Sequence, residues 1–107
     1  MKITDVLNSE KITLSMEVFP PKTTTAVETV NEAVKGIAAL RPDFMSVTYG
    51  AAGTTAGFTI EIAENLKKEY GVTGLPHFTC VSATRDNVEE MLGKLKERNI
   101  ENIMVLR

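Results

Sequence analysis

An α/β fold built from parallel strand–helix units follows from three observations. Apolar residues recur with two periods, every second residue in short β-branched stretches and every third or fourth in longer ones. The two kinds of segment alternate along the whole chain in the order β-α-β-α-β-α-β. The unit repeats at about 30 residues, the size of a strand–helix–strand module. Consecutive strands joined by helices run parallel, with right-handed crossovers.

A short helix is expected over Asp5 to Ser9, ahead of the first strand. The first strand spans Ile12 to Phe19 and stops at Pro20-Pro21, because proline cannot donate to a ladder. The first long helix runs from about Ala26 to Leu40. Thr25 and Glu28 have capping-box spacing at its start, and Val27, Val30, Val34, Ile37 and Leu40 form its apolar stripe. Arg41-Pro42 ends it. The second strand is Phe44 to Tyr49, and Gly50 to Gly57 reads as a small-residue loop. The next helix covers Phe58 to Tyr70, with Phe58, Ile62, Leu66 and Tyr70 at i+4 steps and Gly71 as its stop. The third strand is Pro76 to Val81. The helix from Arg85 to Arg98 is capped by Thr84 and stops near Asn99. It buries Val88, Met91, Leu92 and Leu95, and Glu90 and Lys94 pair across one turn. The fourth strand is Asn102 to Leu106. No linker or low-complexity tract divides residues 1–107, so a single unit is expected.

Composition narrows the function. With 43% hydrophobic and 24% charged residues, the chain has the make-up of an ordinary globular protein. Its net charge is −2, and no run of Lys or Arg exceeds two, which argues against a nucleic-acid surface. No apolar run approaches the roughly 18 residues of a membrane span, and the charged N-terminus lacks a secretory apolar core. The single cysteine, Cys80, has no disulfide partner, and a reducing, cytoplasmic setting is the simplest reading. It shares a strand face with Phe78 and is expected to be a buried, inert thiol.

Two folds use this order of elements, the eight-stranded barrel and the doubly wound sheet. Strands of a doubly wound sheet are apolar on both faces. Here Met16 and Val18 alternate with Ser15 and Glu17, and Met45 and Val47 alternate with Ser46 and Thr48. His77 and Thr79 alternate with Phe78 and Cys80. One face is apolar and suits the helices, whereas the other is small and polar and resembles the lining of a site. That pattern places parallel (β/α) units of a TIM-type barrel ahead of the open sheet. Eight such units need roughly 250 residues. The 107 residues supply four strands, so the chain reads as the first half of a barrel, truncated after the fourth strand.

In a barrel the site lies at the C-terminal ends of the strands. Glu17 is the sharpest feature there. A carboxylate between Met16 and Val18 is either an edge residue facing water or a group held in a site, because burying an unpaired charge is costly. Desolvation would raise its pKa and suit it to donate a proton. Thr48-Tyr49-Gly50 ends the second strand, where a hydroxyl can meet a phosphate or ring carbonyl, or where the glycine simply makes a turn. Gly50-Ala51-Ala52-Gly53 matches no phosphate-loop pattern. His77, the sole histidine, is either a satisfied structural residue or a ligand-contacting one. It has no Cys or carboxylate partner at metal spacing, so no metal site is expected.

Four stretches, taken together, resemble the methylenetetrahydrofolate reductase family: Ser15-Met16-Glu17-Val18-Phe19-Pro20-Pro21-Lys22, Phe44-Met45-Ser46-Val47-Thr48-Tyr49-Gly50-Ala51, Pro76-His77-Phe78-Thr79-Cys80-Val81-Ser82-Ala83-Thr84 and Asn102-Ile103-Met104-Val105-Leu106-Arg107. They occur in the family's order and spacing, from Ile12 onward. The resemblance implies an eight-stranded β/α barrel that binds FAD at the strands' C-terminal ends. It implies hydride transfer from NAD(P)H to the flavin and on to 5,10-methylenetetrahydrofolate, giving 5-methyltetrahydrofolate for one-carbon metabolism and methionine biosynthesis. It further implies that Glu17 is the general acid, protonating folate N10 as the five-membered ring opens. Thr48, Tyr49, His77, Leu106 and Arg107 match positions that contact the flavin. Members of the family continue past this arginine with Gly-Asp and four more units. The expectation is therefore a chain with little activity by itself, and one that self-associates as a homo-oligomer through its open sheet edges. A flavin- or pterin-binding module without turnover, or a purely self-associating half barrel, is the alternative.

Overall fold

Alternation along each strand decides which side chains the helices cover, and the architecture follows from that. The structure, a computed structural model, describes residues 1–50 and 56–107. Helix α1 (Ile3–Leu7) precedes strand β1 (Ser15–Val18). A 3₁₀ turn (Thr24–Ala26) leads into α2 (Val27–Ala38), followed by β2 (Phe44–Val47), α3 (Ala56–Tyr70), β3 (Thr73–Thr79), α4 (Arg85–Glu97) and β4 (Met104–Leu106). The four strands form one sheet in the order β1-β2-β3-β4. All neighbours are parallel, with Glu17 beside Ser46, Ser46 beside Leu75, and His77 beside Met104. Sequential parallel strands linked by helices are the first units of a β/α barrel, as expected.

Val18, Met45 and Val47 point to one side and meet Val34 and Ala38 of α2 and Ile62, Ala63 and Leu66 of α3. Met45, Val47 and Leu66 are fully buried. Each such side chain contributes about 1.5–3 kcal/mol on leaving water. The expected i+4 stripe of α3 holds, with Ile62 and Leu66 buried and Phe58 and Tyr70 half-buried. Gly71 ends that helix at φ +66°, a left-handed conformation that glycine enters freely. On the opposite side of the sheet, Phe44 and Leu75 pack with Ile3 of α1. Asn102 ties that helix down. Its Oδ1 accepts from the Ile3 N–H at 2.9 Å, and its Nδ2 donates to the Met1 carbonyl at 2.9 Å. The Glu64 carboxylate joins α3 to the end of α4, accepting from Lys68 and Arg98, and these bonds, that from Lys68 foremost, hold its pKa below the ordinary carboxylate value.

Several expected details differ. The first helix lies two residues earlier than Asp5 to Ser9. Strand β1 loses Ile12 and Leu14, which are exposed, because pairing with β2 begins only at Ser15 and Phe44. Strand β2 ends two residues short of Tyr49, and β4 begins at Met104 rather than Asn102. Strand β3 starts three residues before Pro76 and ends at Thr79. The Thr25–Glu28 capping box is absent. The 3₁₀ turn occupies that position, Ala26 is the N-cap, and Thr25 Oγ1 instead pairs with Thr23 Oγ1 at 2.9 Å. Leu40 lies beyond the end of α2 and is exposed. The cap at Thr84 does form. Thr84 Oγ1 accepts from the Asn87 N–H at 3.2 Å, and Asn87 Oδ1 accepts from the Thr84 N–H at 3.1 Å. Glu90 and Lys94 pair as expected, at 2.6 Å. Along α4, however, only Leu95 is buried and Leu92 is exposed. The loop expected over Gly50 to Gly57 lies mostly outside the described residues, and its end, Ala56-Gly57, is helical.

Helix α3 approaches β3 most closely at Gly74, where a Cβ would meet the Ala63 carbonyl oxygen at 2.7 Å. Gly74→Ala should therefore cost about 1–3 kcal/mol through overpacking. Gly93, inside α4 with nothing within 4 Å of such a Cβ, should behave oppositely. There Gly93→Ala should stabilise by about 0.5–1 kcal/mol. Urea unfolding of the two variants checks the sign of each effect, and a neutral Gly74→Ala would refute the close approach.

Candidate active site

The polar residues gather on the sheet face that α2 and α3 leave uncovered. Because paired residues in a parallel register share a face, Glu17, Ser46 and Leu75 form one row across β1, β2 and β3. His77 and Met104 form the next row toward the strands' C-terminal ends, and Thr79 and Leu106 the one after. Thr48 follows β2 on the same side as Ser46, and its N–H donates to the Val18 carbonyl at 3.0 Å. Toward the N-terminal ends of the strands, Leu75 of the first row packs with Phe44 and Ile3 and closes the face with apolar side chains. Only its C-terminal part is left for polar chemistry, which is the end that carries active sites in β/α barrels.

Glu17 and His77 are brought together there. The Ser46 hydroxyl donates to Glu17 Oε2 at 3.0 Å, and His77 Nε2 lies 3.7 Å from the same oxygen. The His77 side chain is 9% exposed, whereas that of Glu17 is 49% exposed. The carboxyl is thus on the expected face and in a polar cluster, but it is not held away from water as the sequence reading required. Nothing in the four-stranded sheet covers it among the described residues. His77 is buried as a structural histidine would be, yet its Nε2 has no hydrogen-bond partner among the described residues.

Tyr49 is on the other side of the sheet. Its ring packs edge-on against Phe78, with centroids 5.5 Å apart. Together with Thr79, Ser82, Asn87 and Lys94 these rings line a cavity of ≈ 280 Å³ between the end of β3 and α4. Burial raises the Tyr49 phenol above its ordinary pKa, and the nearby Lys94 ammonium opposes that rise. A larger hollow of ≈ 580 Å³ lies between α3 and α4, lined by Glu64, Lys67 and Arg98, and includes none of the candidate residues. Leu106, on the outermost strand β4, is exposed and stands one row beyond His77 on the same face, beside Thr79, and Arg107 follows the end of that strand, also exposed. Cys80 is exposed rather than buried, because β3 ends at Thr79 and leaves the thiol in the connection to α4.

Two residues that shape the site, one in the cluster and one beneath it, carry no sequence signal of their own. Ser46 was recognised only as a small residue of the polar face, and its role depends on register with Glu17. Thr59, in α3, is almost fully buried and donates through Oγ1 to the Thr48 carbonyl at 2.9 Å, anchoring the end of β2. A lone threonine in an amphipathic helix carries no sequence signal for that contact.

A parallel sheet with one helix-covered apolar face, and a polar face bearing a carboxylate, hydroxyls and an imidazole toward the C-terminal ends, is the opening part of a β/α barrel. The chain belongs to the methylenetetrahydrofolate reductase family, whose model matches residues 2–107. It is 33% identical over 106 residues to methylenetetrahydrofolate reductase (NADH) 1 of Zea mays, a match covering 99% of this chain and 18% of that protein. It is 35% identical over 97 residues to 5,10-methylenetetrahydrofolate reductase of Pectobacterium carotovorum, covering 91% of this chain and 33% of that protein. The Escherichia coli protein of the same name is 33% identical over 97 residues, with the same coverage. The chain therefore spans a third or less of the length of these relatives.

The environment of Tyr49 is directly measurable. In a Tyr70→Phe variant Tyr49 is the only tyrosine, and its ionisation followed by ultraviolet absorbance should come above the ordinary phenol value. Adding Lys94→Gln should move it further up, since the lysine charge favours the phenolate. An ordinary midpoint unaffected by Lys94 would contradict the packing of Tyr49 against Phe78.

Proposed function

We propose that this chain supplies the first β/α units of a flavin-dependent methylenetetrahydrofolate reductase, working with FAD, NAD(P)H and 5,10-methylenetetrahydrofolate in the company of further units. Membership of the family supports a folate-reducing oxidoreductase. The observation that carries the residue-level reading is the Glu17–Ser46–His77 cluster on the helix-free face. Among the described residues no helix is long and apolar enough to cross a membrane, and the lone thiol fits a cytoplasmic setting.

The residues present fit a flavin. The Thr48 and Thr79 hydroxyls, on the same face as the buried His77 ring, are donors suited to the carbonyl and nitrogen edge of an isoalloxazine ring. By resemblance to the family, Thr48, Tyr49, His77, Leu106 and Arg107 are the positions proposed to contact it. FAD, when bound, supplies the hydride relay between NAD(P)H and the folate. Glu17 in its acid form gives its proton to folate N10 as the N10–methylene bond breaks and the electron pair of that bond returns to nitrogen. Ser46 orients the carboxyl through the 3.0 Å hydrogen bond.

Joining residues 1–107 to the remainder of the Escherichia coli relative gives a protein in which Glu17 can be tested. That chimera should bind FAD stoichiometrically, while the 107-residue chain alone binds it weakly, as absorbance and fluorescence titrations would read. Glu17→Gln in the chimera should lower folate reduction by about 100-fold or more relative to NAD(P)H–menadione turnover, the usual worth of a general acid. Equal losses in both assays would make Glu17 structural, and no loss would remove it from the mechanism.

Self-association of the chain alone follows from its edges. Strands β1 and β4 lie outermost, and Met104, Val105 and Leu106 are all exposed. Unpaired edge strands with apolar side chains template pairing with another chain. Light scattering coupled to gel filtration should show a homo-oligomer, and a single monomeric mass with melting independent of concentration would count against it.

A further inference from the structure

The imidazole of His77 faces the carboxyl of Glu17 with a nitrogen that nothing else among the described residues uses. Its side chain is 91% removed from solvent, by the complement of its 9% exposure, and Nε2 has no hydrogen-bond partner there. The nearest acid oxygen is Glu17 Oε2, 3.7 Å away, which already accepts from Ser46 at 3.0 Å. A gap of that length is too short for an intervening water and too long for a good hydrogen bond. A small rotation of the half-exposed Glu17 side chain closes it, as catalytic contacts often tighten on ligand binding.

We propose that His77 is a positioning residue for Glu17, its Nε2–H gripping Oε2 together with Ser46 so that the acid proton resides on Oε1. The two oxygens of a carboxyl are equivalent until their surroundings distinguish them. An oxygen that accepts two hydrogen bonds is the unfavourable place for a proton, because an O–H there would face two donors. The proton is thereby directed to Oε1, the oxygen with no donor among the described residues, and the carboxyl cannot turn over without breaking both bonds. Gripping Oε2 requires the Nε2–H form of the ring. A lone pair on Nε2 would face the carboxylate oxygen and repel it, whereas Nε2–H is attractive whether the ring is neutral or charged. The role differs from flavin contact, because it is exerted on a protein side chain and exists before any cofactor binds.

This inference rests on the reading of Glu17 as proton donor, but its test reads the ring and not turnover. His77 is the only histidine, so ring ¹⁵N labelling of the 107-residue chain gives one set of two-bond ¹H–¹⁵N correlations. With the ring neutral, the proton should reside on Nε2, and its resonance should exchange slowly with water. In Glu17→Ala, which removes a half-exposed side chain outside the apolar core, that resonance should move upfield and exchange faster. A proton on Nδ1 in the unsubstituted chain would overturn the proposal without any variant, as would an Nε2–H signal identical in Glu17→Ala. Loss of the folate arm in the chimera with an Nδ1–H ring would leave Glu17 as the acid and remove His77 from its support. The converse pair of results would leave the contact and remove the acid.

Discussion

The chain depends on a single constraint: every β strand presents alternate residues to opposite sides, and α2 and α3 occupy only one of them. Met45 and Val47 can be fully buried only because Ser46, between them, is turned away. The same alternation turns Glu17 away from Met16 and Val18. Parallel register then aligns the displaced polar residues across strands. Glu17 lands beside Ser46 without either residue being chosen by a local motif. The cluster is thus a by-product of how the core is made, and a one-residue slip of β1 would bury the carboxylate among Ala38 and Leu66. The cost of an unpaired buried charge enforces the register as firmly as the apolar contacts do.

A second device decides which end of the polar face is usable. Helix α1 covers the N-terminal end through Ile3, Phe44 and Leu75, and Asn102 pins that helix to the segment entering β4. The plug removes water from one end and leaves Glu17, Thr48, His77 and Thr79 at the other. Apolar closure below and polar residues above explain why the candidate chemistry is confined to the strands' C-terminal ends. Thr59 reinforces the division from the helix side by satisfying the Thr48 carbonyl just where β2 leaves the sheet.

What could be read from the sequence was whatever depends on neighbours along the chain. The Thr84 cap was legible because both of its halves lie within four residues. The period-two alternation of β1 and β2 was legible for the same reason, and it separated the barrel from the doubly wound sheet. Ile12 and Leu14 continue that alternation, yet they are exposed, because a strand persists only where a partner pairs with it and β2 begins at Phe44. Thr25 and Glu28 have the spacing of a box, but a 3₁₀ turn formed by Thr24–Ala26 takes the backbone the box would need. Leu92 falls on the stripe of α4 and stays exposed, since the stripe specifies a direction and not what lies in it. Ser46 and the unused nitrogen of His77 were out of reach for a related reason, as both acquire meaning only from residues 29 or more positions away in sequence.

Glu17 shows the same limit in its most consequential form. Its neighbours in sequence dictate the side of the sheet on which it stands, and that placement holds. They do not dictate the dielectric there, which belongs to whatever covers that side. With the face uncovered the side chain stays half exposed. Placing apolar or aromatic surface over the row of Glu17, Ser46 and His77 would strip that solvent and leave only two protein donors to replace it. Both groups approach a single oxygen, so the replacement is partial. The surroundings in which Glu17 would play its proposed role are therefore set by the cover and not by these four strands alone, and a bound ring system on this face would supply the missing low-dielectric wall. The chain occupies a third or less of the length of its relatives, so such a cover has ample room to be supplied by further units.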